Sequence, residues 1–342
     1  MATLAPARPK AQVATTRPAT ATQRAGALAL SVLSWLVCHL PEAPLRTAAE
    51  LAGVLWYLGA PRRRAQARRN LRRVATALAA REGASPTVRR AARSRIGLEW
   101  LVVTAFRHLG RYYFEVARAP AFARERVSAR IEDRAPGPLA EIVAAGLGRG
   151  GPGKGVVFVG LHLGALEFPS YLMAETGIQV TAPMEVLDNP ALQAYFLRTR
   201  GHGALRLLPQ EGARAELSAV LARGEAVGLV SDRVVRGRGA PAMLFGQPVR
   251  LPVGPALLAV DSDVPVYAAA VWRVGGGRYA GRMVRLQTPT TGERHERIRD
   301  FLAAQSAAFE SFIAEAPEQW WSVFFPVWPD LEAGAGPARA RR

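Results

Sequence analysis

The chain has 342 residues, 49% of them apolar, enough for one large domain or two modest ones, and this composition excludes both a disordered chain and a polytopic membrane protein. Its 45 basic residues against 27 acidic ones give a formal charge of +18, carried almost wholly by arginine, so its partner is anionic: nucleic acid or the surface of an acidic membrane. Cys38 is the single cysteine, which excludes an internal disulfide and a thiolate metal cluster and suits the cytoplasm.

Residues 1–23 are rich in Ala, Thr, Pro and Arg without an apolar pattern and read as a disordered basic tail. Residues 25–40 form a 16-residue apolar run ending before Pro41, shorter than the ~20 residues a bilayer span requires. An arginine ahead of an apolar run also fits a signal peptide, but no small-residue cleavage site follows. A second apolar segment, 48–60, carries Trp56 and Tyr57, and then meets seven arginines and no acids between Arg62 and Arg73. Two readings stand: an anchor lying in the cytoplasmic leaflet, or an ordinary helical hairpin capped by a solvated basic helix.

The pattern stays helical to about residue 134 and breaks at Pro136-Gly137-Pro138. A short helix over 139–147 and a glycine-rich turn over 148–155 lead into Val156-Val157-Phe158-Val159, apolar on both faces like a central strand of a covered sheet. Strands are predicted near 179–182, 205–208, 227–231 and 266–272, with a return strand at 283–286 after Gly275-Gly276-Gly277. Helices are predicted over 166–174, 191–198, 213–222, 256–260 and 296–315. This alternation predicts an α/β fold, a mostly parallel central sheet flanked by helices, with an N-terminal membrane-associated helical segment. The expected division is a tail over 1–23, an anchor with its Arg cluster over 24–75, an α/β domain over 76–331 and a disordered tail over 332–342.

Gly146-x-Gly148-x-x-Gly151 matches a dinucleotide fingerprint, and Gly153-Lys154 nearly spells a P-loop. Both motifs need a strand before and a helix after, and here the order is reversed, so the segment reads as a turn. His162 is different, because it directly follows a predicted central strand, at the sheet edge where open α/β folds bind ligands. Gly164 permits a tight turn, and Glu167, in the first turn of the next helix, can reach back to the imidazole. Two readings of the pair stand on the residues alone: a base with its orienting acid, or a satisfied histidine beside an unrelated glutamate. In the first, no serine follows, so the hydroxyl to be activated belongs to the substrate.

The segment GVVFVGLHLGALE, ending at Glu167, resembles the His-x4-Asp/Glu block of the lysophospholipid acyltransferase superfamily. It is most similar to the branch holding bacterial lipid A late acyltransferases and the mycobacterial phosphatidylinositol mannoside acyltransferase. Leu229-Val230-Ser231-Asp232-Arg233, Phe245-Gly246-Gln247-Pro248 with Leu251-Pro252-Val253-Gly254-Pro255-Ala256, and Pro317-Glu318-Gln319-Trp320-Trp321 resemble three further blocks in order and spacing, over roughly residues 25–330. The resemblance implies His162 as general base with Glu167 as partner, Glu185 near the acceptor, Asp232 and Arg233 lining the same cleft, and Arg198 near the phosphate-bearing substrate. It implies transfer of a fatty acyl group from acyl-CoA or acyl carrier protein, as co-substrate, to a hydroxyl of a membrane glycolipid or phospholipid, with neither cofactor nor metal. The expected state is a monomer at the cytoplasmic face of the plasma membrane, peripheral or anchored by one segment, on an anionic surface and binding no nucleic acid. Alternatives are a glycerol-phosphate or lysophospholipid acyltransferase, and a basic membrane- or nucleic-acid-binding protein without catalysis. The family's Asn-Trp ahead of the acid is Ala165-Leu166 here, its Asp-Arg-Asp is Asp232-Arg233-Val234, and its aromatic-basic ending is replaced from Ser322 to Trp328, so the acceptor is the least determined feature. Leu166, Phe168 and Tyr171 are expected either to line an acyl slot or to belong to the core. Backbone N–H groups after Gly164, and Arg233, are the expected oxyanion donors.

Overall fold

The computed structural model describes residues 18–122, 124–200, 205–234, 237 and 239–332. The tail expected over 1–23 lies largely outside them, as does all but Glu332 of the tail expected over 332–342. Where the first boundary is described it differs from expectation. Helix α1 (Ala21–His39) opens with a capping box in which Thr20 Oγ accepts from the Gln23 amide and Gln23 reaches back to the Thr20 amide. Its 19 residues make α1 long and apolar enough to cross a membrane by length and composition.

Helix α1 nevertheless packs sideways on the protein, burying Ser34 and Val37, and Ser34 Oγ donates to the Ala117 carbonyl at 2.5 Å. That carbonyl belongs to the long helix α5 (Arg95–Arg118), which also receives α2 (Glu42–Gly59). Gly53 and Gly110 lie where α2 and α5 meet, and a Cβ at either would overlap the opposing backbone. Outward, α1 exposes Leu28, Val32 and Trp35, α2 exposes Leu51, Leu55 and Leu58, and α5 exposes Ile96 and Trp100, each at least half accessible.

The arginine-rich block forms α3 (Pro61–Ala79), whose inner stripe of Ala67, Leu71, Val74 and Leu78 joins the main core together with Val157 and Val227 of the sheet. The packing is therefore continuous across the boundary expected at residue 75. Part of the basic cluster is structural too: Arg68 grips Glu99 through two N–H groups, and Arg73 pairs with Asp330. A short helix α4 (Pro86–Arg93), capped by Ser85, leads into α5.

The α/β layer begins with α6 (Arg124–Ser128), β1 (Ile131–Asp133) and α7 (Pro136–Ala144). Then come β2 (Val156–Gly160), α8 (Phe168–Glu175), β3 (Val180–Met184), α9 (Pro190–Arg200), β4 (Leu205–Pro209), α10 (Ala213–Ala222) and β5 (Ala226–Val230). A two-stranded ribbon, β6 (Ala240–Leu244) and β7 (Gln247–Leu251), is followed by α11 (Gly254–Ser262), β8 (Val266–Gly275), β9 (Arg278–Leu286) and α12 (Arg294–Glu315). The seven-stranded sheet has the order β1-β9-β8-β2-β5-β3-β4 and is parallel from β8 to β4, with β9 antiparallel to β8. The expected fold class is therefore the one observed. Two elements depart from the sequence reading: β1 interrupts the stretch expected to be helical up to residue 134, and the β6–β7 ribbon was not anticipated. The glycine-rich turn runs from α7 into β2, helix before strand, as expected of a turn.

Candidate active site

Strands β2 and β5 are parallel neighbours, with Gly160 aligned to Val230. Two residues beyond each aligned position the chain supplies His162 and Asp232, so the strand register alone delivers the two side chains to one spot at the carboxyl edge of the sheet. His162 Nδ1 and Asp232 Oδ1 are 2.7 Å apart. Asp232 is fully buried, and its second oxygen, Oδ2, accepts from Trp320 Nε1 at 2.7 Å and from Ser322 Oγ at 2.8 Å. Burial opposes the charge on this carboxylate, but His162, Trp320 and Ser322 together outweigh it and hold Asp232 at about 2. An ionised carboxylate only accepts, so Nδ1 carries a proton, and in the neutral ring the lone pair falls on Nε2. The imidazole stands edge-on to Trp321, ring centres 4.2 Å apart.

The loop carrying His162 is fixed by backbone pairing to the C-terminal segment and to β8. Trp321 N–H donates to the His162 carbonyl at 2.9 Å, Gly164 N–H to the Gln319 carbonyl at 3.0 Å, and Ala165 N–H to the Val271 carbonyl at 2.9 Å. Gly164 has φ +58°, and a Cβ there would lie 2.6 Å from Trp272 Cα. Gly164→Ala is accordingly expected to cost at least about 1–3 kcal/mol of stability from the left-handed backbone alone, read as a lower urea midpoint. An unchanged midpoint would mean that the loop is looser than its hydrogen bonds imply.

Glu167 sits immediately before α8 rather than within its first turn. It is buried and accepts a hydrogen bond from Tyr112 Oη at 3.1 Å, while Nδ1 of His162 faces Asp232. Glu185 follows β3, the strand beyond β5, and its charge reaches Arg233. Arg233 lies over the Phe325 ring at 4.1 Å, and Arg63 of α3 approaches the same ring at 5.1 Å. Burial pulls the Arg233 guanidinium down from its ordinary value, against the opposing pull of Asp232 and Glu185. His162, Asp232, Arg233 and Glu185 thus share one edge of the sheet. Arg198 does not join them by any contact among the described residues: it stacks on Tyr195 and donates to Ser31 of α1 at 2.9 Å. Phe168 and Tyr171 are core residues, packed with Val271 and Tyr279, and Leu166 leans on the main core. The amides of Gly164 and Ala165, among the expected oxyanion donors, are spent on carbonyls.

Sequence reasoning left Trp320, Ser322 and Tyr112 out of the site, and gave Asp232 a place in the cleft without its bond to the histidine. The available signal was the parallel one: Asp232 follows a buried strand at the same offset as His162.

A histidine whose Nδ1 is held by a buried carboxylate, with Ser322 inside the protein and its hydroxyl given to Asp232, is an arrangement that can take a proton from a hydroxyl brought by another molecule. The family described as bacterial lipid A biosynthesis acyltransferase matches residues 15–325, and the chain belongs to it; it is an O-acyltransferase. A phosphatidylinositol mannoside acyltransferase of Mycobacterium tuberculosis (strain H37Rv) is 26% identical over 232 residues, 67% of this chain and 70% of the relative. The protein of that name in Mycolicibacterium smegmatis is 24% identical over 232 residues, 67% of this chain and 72% of its own length.

Proposed function

We propose that the protein transfers a fatty acyl group from a thioester, acyl-CoA or acyl carrier protein, to a hydroxyl of a membrane glycolipid of the phosphatidylinositol mannoside type. The observation that carries this reading is the Asp232–His162 pair at the strand ends, in a chain of this family. The acceptor hydroxyl gives its proton to Nε2 of His162 as its oxygen attacks the thioester carbonyl, and the thiol leaves with a proton returned from the imidazolium. Asp232 stabilises that imidazolium through Nδ1, and Glu167 adds a second negative charge from the same loop. Arg233 faces the developing oxyanion or a phosphate of either substrate. Glu185, on the same edge, positions the acceptor, and Arg198 binds phosphate only through rearrangement of its contact with Ser31.

The protein works as a monomer at the cytoplasmic face of the plasma membrane. The exposed leucines and tryptophans of α1, α2 and α5 support this, because they enter the interface while exposed arginines such as Arg62 and Arg72 meet anionic headgroups. The test is direct: purified protein with radiolabelled palmitoyl-CoA or palmitoyl carrier protein and a panel of phosphatidylinositol mannosides, lysophospholipids and glycerol phosphate. Label is expected in the mannosides; label confined to glycerol phosphate or lysophospholipid would overturn the acceptor assignment.

A further inference from the structure

Away from the His162 cleft, a cavity of about 80 Å³ lies where the start of α2 meets the end of α5 and the α6 region, lined by Glu42, Arg118, Ala121, Phe122, Arg126 and Arg130. A single ordered water needs ~10–15 Å³ by the same kind of measure, so the space admits a group the size of a phosphoryl. The lining carries three guanidiniums and one carboxylate, and that carboxylate is already satisfied: Glu42 Oε1 takes Arg46 at 3.1 Å and Oε2 takes Arg130 at 2.8 Å. Arg118 Nη1 closes the elbow between α1 and α2 by donating to the carbonyls of Val37 and Leu40. Arg126, exposed, donates to the Ala121 carbonyl at 3.4 Å, so the lining keeps an excess of positive charge. Its setting completes the case, since the end of α1 beside it exposes Trp35, Leu36 and Leu40.

We propose that this cavity binds the phosphate of an anionic membrane phospholipid, separately from the acyl acceptor, and so fixes the α1–α2 elbow at headgroup depth. The proposal rests on the membrane-surface reading above. The phosphoryl oxyanion is what the arginines recognise, and the lipid is its source because exposed apolar side chains flank the opening.

The test uses the full chain and co-sedimentation with vesicles of phosphatidylcholine, with and without phosphatidylglycerol. Ala121→Leu fills the cavity without changing charge, Arg126→Ala removes one of its cations, and Arg62→Ala removes an exposed arginine of α3 as a control. Ala121→Leu and Arg126→Ala are each expected to weaken the phosphatidylglycerol-dependent part of binding by about fivefold or more, and Arg62→Ala by less. Wild-type binding by a folded Ala121→Leu would overturn the site, leaving general surface charge. If thermal unfolding shows that Ala121→Leu does not fold, equal losses for Arg126→Ala and Arg62→Ala overturn it instead. In a second arm, inorganic phosphate and glycerol phosphate are added without vesicles. Stabilisation that Ala121→Leu abolishes while its vesicle binding stays intact would assign the cavity to a free phosphate and overturn the lipid assignment. Acyl transfer to detergent-dispersed acceptor should be unchanged in Ala121→Leu, so failure of this site and failure of the proposed reaction give different results.

Discussion

Replacing His162 with alanine should lower kcat for acyl transfer by about 100- to 10,000-fold while KM for the thioester barely moves, because the imidazole acts on the acceptor proton rather than on donor binding. Asp232→Asn should fall in the same range. It keeps the shape of the side chain, but an amide no longer enforces a proton on Nδ1, and Nε2 loses the lone pair the reaction uses. Glu167→Gln run beside it separates the two carboxylates, since only the group bonded to Nδ1 controls the tautomer. Asp232 also carries a stability signature. Its folded pKa is about 2 against an ordinary 3.8, so its charge stabilises the native state above pH ~4, and that contribution, roughly 2 kcal/mol, is lost as pH falls from about 4 to about 2. The stability gap between wild type and Asp232→Asn should therefore narrow over that window. Full acyl transfer by His162→Ala, or a gap that does not change with pH, would contradict the assignment.

The elements nearest the site were the most legible in the sequence. Val156 to Val159 is apolar on both faces because β2 lies between β5 and β8 under helices, and α10 fell on the residues expected of it. The β6–β7 ribbon was hidden by Pro241 and Pro248, which demote a strand inside a sheet but are tolerated in a two-stranded pair with free edges. In α3 the helix was legible, but the run of arginines hid its inner stripe of short residues and leucine. The partner of His162 was missed for a deeper reason. Glu167 is five residues away and Asp232 is seventy, and nothing in a linear pattern says that β5 lies beside β2. Strand order, a property of the whole fold, chose which carboxylate meets Nδ1.

The same dependence on distant contacts makes Arg273→Met the largest expected loss of stability. Arg273, at the end of β8, is buried and meets Glu115 of α5 through two bonds, Nε to Oε1 at 2.8 Å and Nη2 to Oε2 at 2.5 Å. Tyr279 Oη donates to Glu115 Oε1 at 2.9 Å, and Gln319 brackets the Arg273 backbone, accepting from its N–H and donating to its carbonyl. Methionine in place of the guanidinium leaves Glu115 charged, buried and without its cation, a change that costs about 3–5 kcal/mol and, for a chain of this length, corresponds to a Tm lower by roughly 4–7 °C. Glu115→Leu added to Arg273→Met removes the orphaned charge and should restore most of that loss, although Tyr279 is left without its acceptor. Activity should not return with it. Arg273 Nη2 also donates to the Gly164 carbonyl at 3.2 Å, so the His162 loop loses a tie that no apolar pair replaces. Thermal unfolding and kcat measured on both variants check this. A single variant as stable as wild type, or a double variant no more stable than the single, would show that the pair does not carry the fold. Recovery of kcat together with stability would show instead that the loop is held without Arg273.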